Sequence, residues 1–249
     1  SAILRRLNEI LPPSGPILHA LARFDPLPSI KGPEADVPPP SKGVLADRRI
    51  RSAFGSVVRV TGTACGLGIE GSGWAAGSGL VVTNAHVVAG ESDTAVQVGG
   101  DGPHLAATPV VFDPHDDIAV LRVDGLGVRP LTLARSPASG GAVAILGYPE
   151  DGPFDARPGR LGATAVVASQ DAYGRGPVRR SITSFRGLVR PGNSGGPVID
   201  RAGHVAATVF AATVGGPLTG GLGVPNAIVR RELAAARAGH AVDTGPCAG

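Results

Sequence analysis

A serine set among glycines is the residue whose surroundings most clearly suggest chemistry. Ser194 lies in the run RPGNSGGP, residues 190–197. Glycines carry no side chain, so the backbone around Ser194 can approach another molecule closely. If Ser194 attacks a carbonyl carbon, an oxyanion forms, and the backbone N–H groups of Gly192 and Ser194 are placed to bind it. That is the chemistry of acyl transfer. A glycine-rich turn between two strands is the structural alternative for the bare pattern G-x-S-x-G.

A candidate base and a candidate acid precede this serine in the chain. His86 lies in VVTNAHVV, residues 81–88, and Asp117 opens the apolar run DIAVL, residues 117–121. A serine hydroxyl is a poor nucleophile until a base takes its proton, and the base needs an acid that fixes its tautomer. The order histidine, aspartate, serine is one of three unrelated chain orders that produce the same triad geometry. The three residues together predict a catalytic triad.

The segments TNAHVV, DIAVL and GNSGGP resemble the catalytic blocks of trypsin-like serine proteases of the bacterial type, nearest to the HtrA group. The resemblance covers roughly residues 50–232. It implies an all-β, chymotrypsin-like fold of two six-stranded antiparallel Greek-key barrels, with the active site in the cleft between them. It also implies that Gly192 and Ser194 form an oxyanion hole.

Three carboxylates compete for the place of the triad acid: Asp113, Asp116 and Asp117. Successive strand residues face opposite sides, so Asp116 and Asp117 cannot both point at His86. The family's motif places the acid directly before Ile-Ala-Val-Leu, which favours Asp117. Asp116 stays the alternative, because a loop at this point can rotate the pair.

The residues expected around the substrate pocket are apolar. Trypsin-like enzymes that prefer Lys or Arg carry an acid six positions before the serine, where this chain has Leu188. A buried acid attracts a cationic side chain, whereas leucine offers only apolar area. The sequence therefore predicts cleavage after apolar residues. By the same resemblance, the pocket wall comes from the strand 209–213, with Phe210, Ala211 and Ala212, and from residues 221–223.

Composition excludes several other classes of function. No pair among the remaining histidines has metal-ligand spacing, so neither a metal nor another cofactor is predicted. Aromatic residues make up 4% of the chain, which argues against base stacking, and no nucleic-acid partner is expected. The net charge is +3, and residues 157–190 hold seven arginines against one carboxylate, Asp171. We interpret this run as a solvated face, with contact to an acidic substrate or an anionic lipid as the alternative.

The two cysteines, Cys65 and Cys247, are either free thiols or one disulfide. The disulfide is favoured, because an exported compartment permits it and because the tail beyond residue 238 has little else to hold it. Such a bond would fasten the tail across the body. If it were labile, its opening would give a redox control on activity.

The remaining pattern places the predicted site in a β-rich body with an N-terminal extension. Residues 1–24 show helical spacing, and residues 25–43 are a proline-rich linker, so residues 1–49 form the extension. The protease domain takes residues 50–249. Short apolar runs predict a first barrel over about 50–130, with strands at 80–83, 95–98 and 118–123 among others, and a second over about 140–224, with one strand at 162–169. A helix over about 225–238 and a tail over 239–249 follow.

These observations favour a serine endopeptidase acting on extracytoplasmic proteins. A catalytically silent sensing module on the same fold is the alternative. The triad order disagrees with an α/β-hydrolase esterase. The chain contains no methionine, so we expect a processed or excised piece. We expect its parent to be periplasmic and anchored in the inner membrane through a missing N-terminal part. A monomer is favoured, and since few residues follow the final helix, gating by a PDZ domain is not expected.

Overall fold

Two antiparallel sheets organise the chain. The computed structural model describes residues 23–24, 29–30, 32–77, 79–213 and 218–248. The first sheet contains β3 to β8 and the second contains β9 to β14. Each also carries one short parallel strand from the N-terminal extension, β1 (Arg23–Phe24) or β2 (Ser29–Ile30).

The first barrel has the strand order β4-β3-β6-β7-β8-β5, and β4 also pairs with β5 and closes the ring. Its strands are β3 (Val57–Ala64), β4 (Leu67–Gly77), β5 (Leu80–Thr83), β6 (Ala95–Val98), β7 (His104–Asp113) and β8 (Ile118–Val123). Closure leaves few unpaired backbone groups at sheet edges. The candidate histidine, His86, comes shortly after β5, and the candidate acid, Asp117, directly precedes β8.

The second barrel repeats the design with the order β12-β9-β10-β11-β14-β13, closed by pairing of β12 with β13. Its strands are β9 (Ala142–Gly147), β10 (Asp155–Ser169), β11 (Val178–Gly187), β12 (Pro197–Asp200), β13 (Val205–Thr213) and β14 (Gly220–Pro225). The two predicted six-stranded barrels are therefore confirmed. Ser194 lies in the connection between β11 and β12.

Three apolar cores hold the barrels and their junction. One core fills the first barrel around Val60, Val81 and Leu121, and another fills the second around Ile145 and Phe185. A third core runs between the barrels and contains side chains from both, among them Trp74, Ile118, Leu146, Ile199 and Phe210. The indole Nε1 of Trp74 donates to Thr208 Oγ1 at 3.2 Å across this junction. Burial in the third core fixes how the halves of the site face each other.

Within the described ranges, the α-helices are few and short. They are α1 (Arg48–Arg51), α2 (Ala85–Val88) and α3 (Asn226–Ala236). Asp47 caps α1 by accepting from Arg49 N at 2.9 Å. The helix predicted over 225–238 is α3, which begins directly after Pro225.

The N-terminal extension differs in part from its prediction. Residues 23–24 form β1, which pairs with β4, and not the end of a helix; the rest of the predicted helix lies outside the described residues. The physical reason is that prolines follow at 26 and 28, and a residue before proline avoids helical geometry. Within the predicted linker, β2 pairs with β13.

The arginine-rich run, interpreted as a solvated face, is largely engaged within the protein. Arg160 Nε donates to the carbonyl of Pro39 at 3.2 Å, and Arg186 Nη1 donates to that of Val37 at 3.0 Å. These bonds hold the linker against β10 and β11, where Ala35 is buried. Arg180 is itself buried. The run therefore contributes internal contacts as well as surface charge.

Candidate active site

The serine turn requires glycine at the positions that flank Ser194. Gly192 and Gly195 have φ angles of 86° and 81°, in the left-handed region that L side chains rarely adopt. A Cβ on Gly192 would lie 2.3 Å from the carbonyl oxygen of Tyr148, and one on Gly195 would lie 2.1 Å from that of Ser72. The backbone of this turn is thus pressed against the first barrel and against the residues that follow β9.

Hydrogen bonds orient the peptide groups of the turn. Ser72 Oγ donates to Gly192 O at 2.5 Å and accepts from Tyr148 N at 2.9 Å, while Ser72 N donates to Ser194 O at 2.7 Å. These contacts fix the carbonyls of Gly192 and Ser194. The N–H groups of the same two residues share peptide groups with the carbonyls of Pro191 and Asn193, which accept from Glu150 N at 2.8 Å and from Gly196 N at 2.9 Å. Within the part of the chain that the structure describes, the N–H groups of Gly192 and Ser194 donate to no acceptor. Two oriented, unpaired donors in one turn are what an oxyanion needs.

His86 and Asp117 form a buried pair. His86 Nδ1 lies 2.7 Å from Asp117 Oδ2, and the backbone N–H of His86 donates to Oδ1 at 3.0 Å. Asn84 Nδ2 donates to the carbonyl of Asp117 at 2.7 Å. Asp117 has a φ of 56°, a conformation that aspartate adopts more readily than most residues and that turns its carboxylate toward α2.

The ionisation of Asp117 follows from these neighbours. Burial acts to raise the pKa of its carboxyl group, but the charge and hydrogen bonds of His86, together with the charge of Arg180, hold that pKa below its ordinary value. An ionised carboxylate on Nδ1 leaves the other ring nitrogen, Nε2, to accept a proton.

Ser194 Oγ and His86 Nε2 are both buried, and neither has a hydrogen-bond partner among the described residues. The two atoms are therefore not bonded to each other in this resting state. Catalytic hydrogen bonds are often long in unliganded enzymes and shorten when substrate binds. The structure thus brings the histidine and the acid together and leaves the serine hydroxyl and the ring nitrogen unpaired.

Asp116, the alternative acid, is engaged elsewhere. Its Oδ2 accepts from Arg231 Nη2 of α3 at 2.8 Å, and its Oδ1 lies 3.2 Å from His115 Nδ1. Arg231 Nη2 also lies 2.8 Å from Asp113 Oδ2. The arginine thus pairs with both carboxylates of this cluster.

The predicted pocket residues have different surroundings. Leu188 is 41% exposed, Ala212 is half-buried, and Ala211 is fully buried. The ring of Phe210 is fully buried beneath the guanidinium of Arg180, whose Cζ lies 4.3 Å from the ring centroid. Phe210, predicted as a pocket residue, is therefore a core residue in this structure.

Sequence reasoning missed Ser72, Asn84 and Arg180. Asn84 lies within the TNAHVV motif, which is a signal that could have identified it. Ser72 and Arg180 belong to no motif, and their relation to the site depends on how one barrel packs on the other.

Cys65 and Cys247 are joined by a disulfide, with Cα atoms 6.2 Å apart across a sequence separation of 182 residues. The tail also bonds to the first barrel through Val242 N and Pro109 O, at 2.9 Å. Tyr173, between β10 and β11, donates its hydroxyl to Thr244 O at 2.9 Å. The tail is thus tied to both barrels.

Comparison with known proteins finds the same architecture. A model of the trypsin-like peptidase domain matches residues 71–207. The serine protease Rv3671c (MarP) of Mycobacterium tuberculosis is 36% identical over 99% of this chain. The chain spans 65% of that relative's length. A probable periplasmic DegP-like serine endoprotease of Halomonas elongata is 34% identical over 51% of this chain and 26% of its own length.

Solved structures agree with these sequence matches. The crystal structure of the active form of the M. tuberculosis Rv3671c protease has a TM-score of 0.81 at 35% identity, covering 89% of this chain and 98% of that one. The inactive form of the same protease has a TM-score of 0.70 at 34% identity, covering 80% and 97%. Among the residues that the structure describes, no helix has the length and apolar character needed to cross a membrane.

Proposed function

The chain belongs to the trypsin-like peptidase family, and from that premise we infer that it is an active serine endopeptidase. The observation that carries this proposal is the site itself: the paired His86 and Asp117, the unpaired Oγ of Ser194, and two free N–H groups in the serine turn. The greater similarity to the active form of the Rv3671c protease also supports it.

The reaction proceeds through an acyl-enzyme. His86 Nε2 takes the proton of Ser194 as Oγ attacks the scissile carbonyl, and Asp117 stabilises the imidazolium that forms. The N–H groups of Gly192 and Ser194 bind the oxyanion. His86 then gives its proton to the leaving amine. Water, activated by the same histidine, attacks the acyl-enzyme and releases Ser194.

We assign cleavage after apolar residues. Leu188 replaces the acid that selects basic side chains, and its exposed side chain is free to contact a substrate. The other proposed wall comes from β13 by the family resemblance, and there Ala212, which is half-buried, contributes a small apolar side chain. An apolar pocket of this kind selects among substrate side chains by the apolar area that each of them buries in it.

The substrates we propose are proteins in an extracytoplasmic space. The disulfide is consistent with an oxidising compartment, and the H. elongata relative is named as periplasmic. A parent protein anchored in the inner membrane, and a monomeric protease domain, complete the proposal.

A catalytically silent binding module is the competing function. The one observation in its favour is the missing hydrogen bond between Ser194 Oγ and His86 Nε2. Against it, all the residues that the reaction needs are in place, whereas a copy that has lost catalysis would be expected to lack at least one.

A peptide library digested by the purified protein tests both activity and specificity. We expect cuts after aliphatic and aromatic residues, and none with the Ser194→Ala variant. A clear majority of cuts after Lys or Arg would contradict the assigned preference, and equal cleavage by Ser194→Ala would contradict the assigned nucleophile.

A further inference from the structure

Arg180 is a buried cation that the proposed reaction does not yet use. It lies on β11 and is 4% exposed. Its guanidinium stacks on Phe210, and its Nη2 donates to Ser169 Oγ at 3.2 Å. Its Nε and Nη1 have no hydrogen-bond partner in the described part of the chain. The aromatic ring and the hydroxyl hold the guanidinium in place, but both are neutral, so neither supplies a negative charge.

A buried guanidinium needs anions nearby. It keeps its proton in proteins, and burying an unbalanced charge is costly. Burial lowers the pKa of Arg180, while four carboxylates act in the opposite direction, Asp117 most strongly and then Asp116, Asp171 and Asp113. Three of these carboxylates, Asp113, Asp116 and Asp117, lie in or next to the turn before β8, and the fourth, Asp171, lies in the loop that leads into β11.

The loop between β10 and β11 fastens Arg180 to that turn. Ala172 N in this loop donates to Pro114 O at 2.8 Å, which joins the second barrel to the turn before β8. Asp171 is occupied within its own loop, where its Oδ1 accepts from the backbone N–H groups of Tyr173 and Arg175.

The carboxylates around Arg180 differ in whether another arginine already forms an ion pair with them. Asp113 and Asp116 already pair with Arg231 of α3, whose neighbour Glu232 bonds to the same arginine. Asp117 uses both oxygens on His86 of α2. Among the described residues, no hydrogen bond or ion pair joins Asp117 to an arginine, so Arg180 acts on it through space.

We propose that Arg180 is a positioning residue for the triad: a cation supplied by the second barrel that holds Asp117 as the charged partner of His86. This inference rests on the proposed function, because it assigns Asp117 and His86 their catalytic roles. Arg180 does not contact the reacting atoms and acts only through this pair.

The sign of the effect can be tested by pH. A proton taken up by the His86–Asp117 pair adds a positive charge to it, so removing the guanidinium that acts on Asp117 should make this uptake easier. The acid limb of the kcat/KM profile should then move to higher pH, by about one pH unit for charges interacting through a partly buried path. Arg180→Lys keeps the positive charge and should leave the acid limb at the wild-type pH.

The experiment compares pH profiles of the wild-type chain with those of Arg180→Met, Arg180→Gln and Arg180→Lys. The matched control is Arg179→Met, which removes an exposed arginine next to Arg180 on the same strand. We expect an upward shift of the acid limb in both neutral variants and none in the lysine variant or the control. An unshifted limb in a folded neutral variant, or an equal shift in Arg180→Lys, would overturn the proposal.

A second readout separates this inference from the proposed function. In a Ser194→Ala background, the titration of the His86 ring can be followed by nitrogen NMR without turnover. An upward shift of its midpoint with Arg180→Gln supports the role of Arg180 even if no substrate is cleaved, whereas an unchanged midpoint refutes it. Absence of peptide cleavage by the wild-type chain would instead count against the proposed function.

Discussion

At the scale of single residues, the candidate site depends on how each side chain is partnered. Asp117 has its two carboxylate oxygens on one histidine, while Asp116 is held by Arg231 on the far side of the same turn. The two carboxylates do point to different partners, but both lie in the turn before β8, so alternation along a strand is not the reason. The sequence reasoning rested on that alternation. It could not foresee the left-handed conformation of Asp117 or the arginine that holds its neighbour.

Replacing the two acids separately tests the assignment. Asp117→Asn should lower kcat by a factor on the order of 10⁴, because an amide neither stabilises the imidazolium nor fixes the correct tautomer. Asp116→Asn is the matched control and should change kcat little, since its carboxylate bonds only to groups outside the triad. Steady-state kinetics on one peptide measures both variants. A severe Asp116→Asn and a mild Asp117→Asn would reverse the assignment.

At the scale of elements, the strands were the most predictable part of the chain. Apolar runs gave β5, β6 and β8 with the bounds that the structure has, because short buried strands flanked by turn residues leave little freedom. The strand β10 begins at Asp155, seven residues before its predicted start at 162. Its first half contains Arg157, Pro158, Gly159 and Arg160, which lack an apolar pattern and are ordered by pairing with β9 and, at the last two positions, with β11.

The segment after α2 contains a buried acid, Glu91, that no sequence pattern indicates. Its Oε2 accepts from Thr94 Oγ1 at 2.7 Å, its Oε1 has no partner among the described residues, and Thr244 of the tail bonds to its carbonyl. Burial, and to a lesser degree the charge of Asp93, raises the pKa of Glu91 to about 8, although the bond from Thr94 acts to lower it.

This shift predicts how stability depends on pH. The unfolded chain releases the Glu91 proton near pH 4.5, whereas the folded chain holds it until about pH 8. The folded state therefore binds more protons over this window, and the free energy of unfolding should fall as pH rises, by at most about 1.4 kcal/mol per pH unit.

Urea unfolding between about pH 5 and pH 8 measures this slope. Glu91→Gln should remove the contribution of Glu91, and Glu34→Gln, at an exposed position, should not. Equal slopes in the wild-type chain and Glu91→Gln would contradict the prediction.

At the scale of the whole molecule, the site is assembled from residues of both barrels, and neither barrel alone could complete it. The first supplies His86 and Asp117, and the second supplies Ser194 and Arg180. The family resemblance predicted this arrangement, while composition and spacing alone did not. What no motif could predict is how the halves are fixed to each other, through Trp74, the loop before β11 and the C-terminal tail.

The disulfide between Cys65 and Cys247 is expected to stabilise this assembly. The chain-entropy relation gives about 5 kcal/mol for a loop of this length, an upper figure because denatured chains keep residual structure. Replacing both cysteines by serine should therefore lower the melting temperature markedly. If the bond also controls activity, reduction should lower the peptidase rate as well.

Thiol titration of the unreduced, denatured protein establishes whether the bond is formed. Two free thiols per chain would contradict it. If it is formed, melting temperature and peptidase rate are compared before and after reduction, with the double serine variant as the control for reagent effects. No change in either quantity would show that the bond has neither role.

Labelling with a fluorophosphonate probe tests the central claim most directly, because the probe bonds covalently only to a serine whose hydroxyl is activated. We predict one adduct per chain, located by mass spectrometry on Ser194, absent from Ser194→Ala and strongly slowed in His86→Ala. A folded wild-type protein that gains no adduct, or one labelled equally well without His86, would contradict the account of this chain as an active serine endopeptidase.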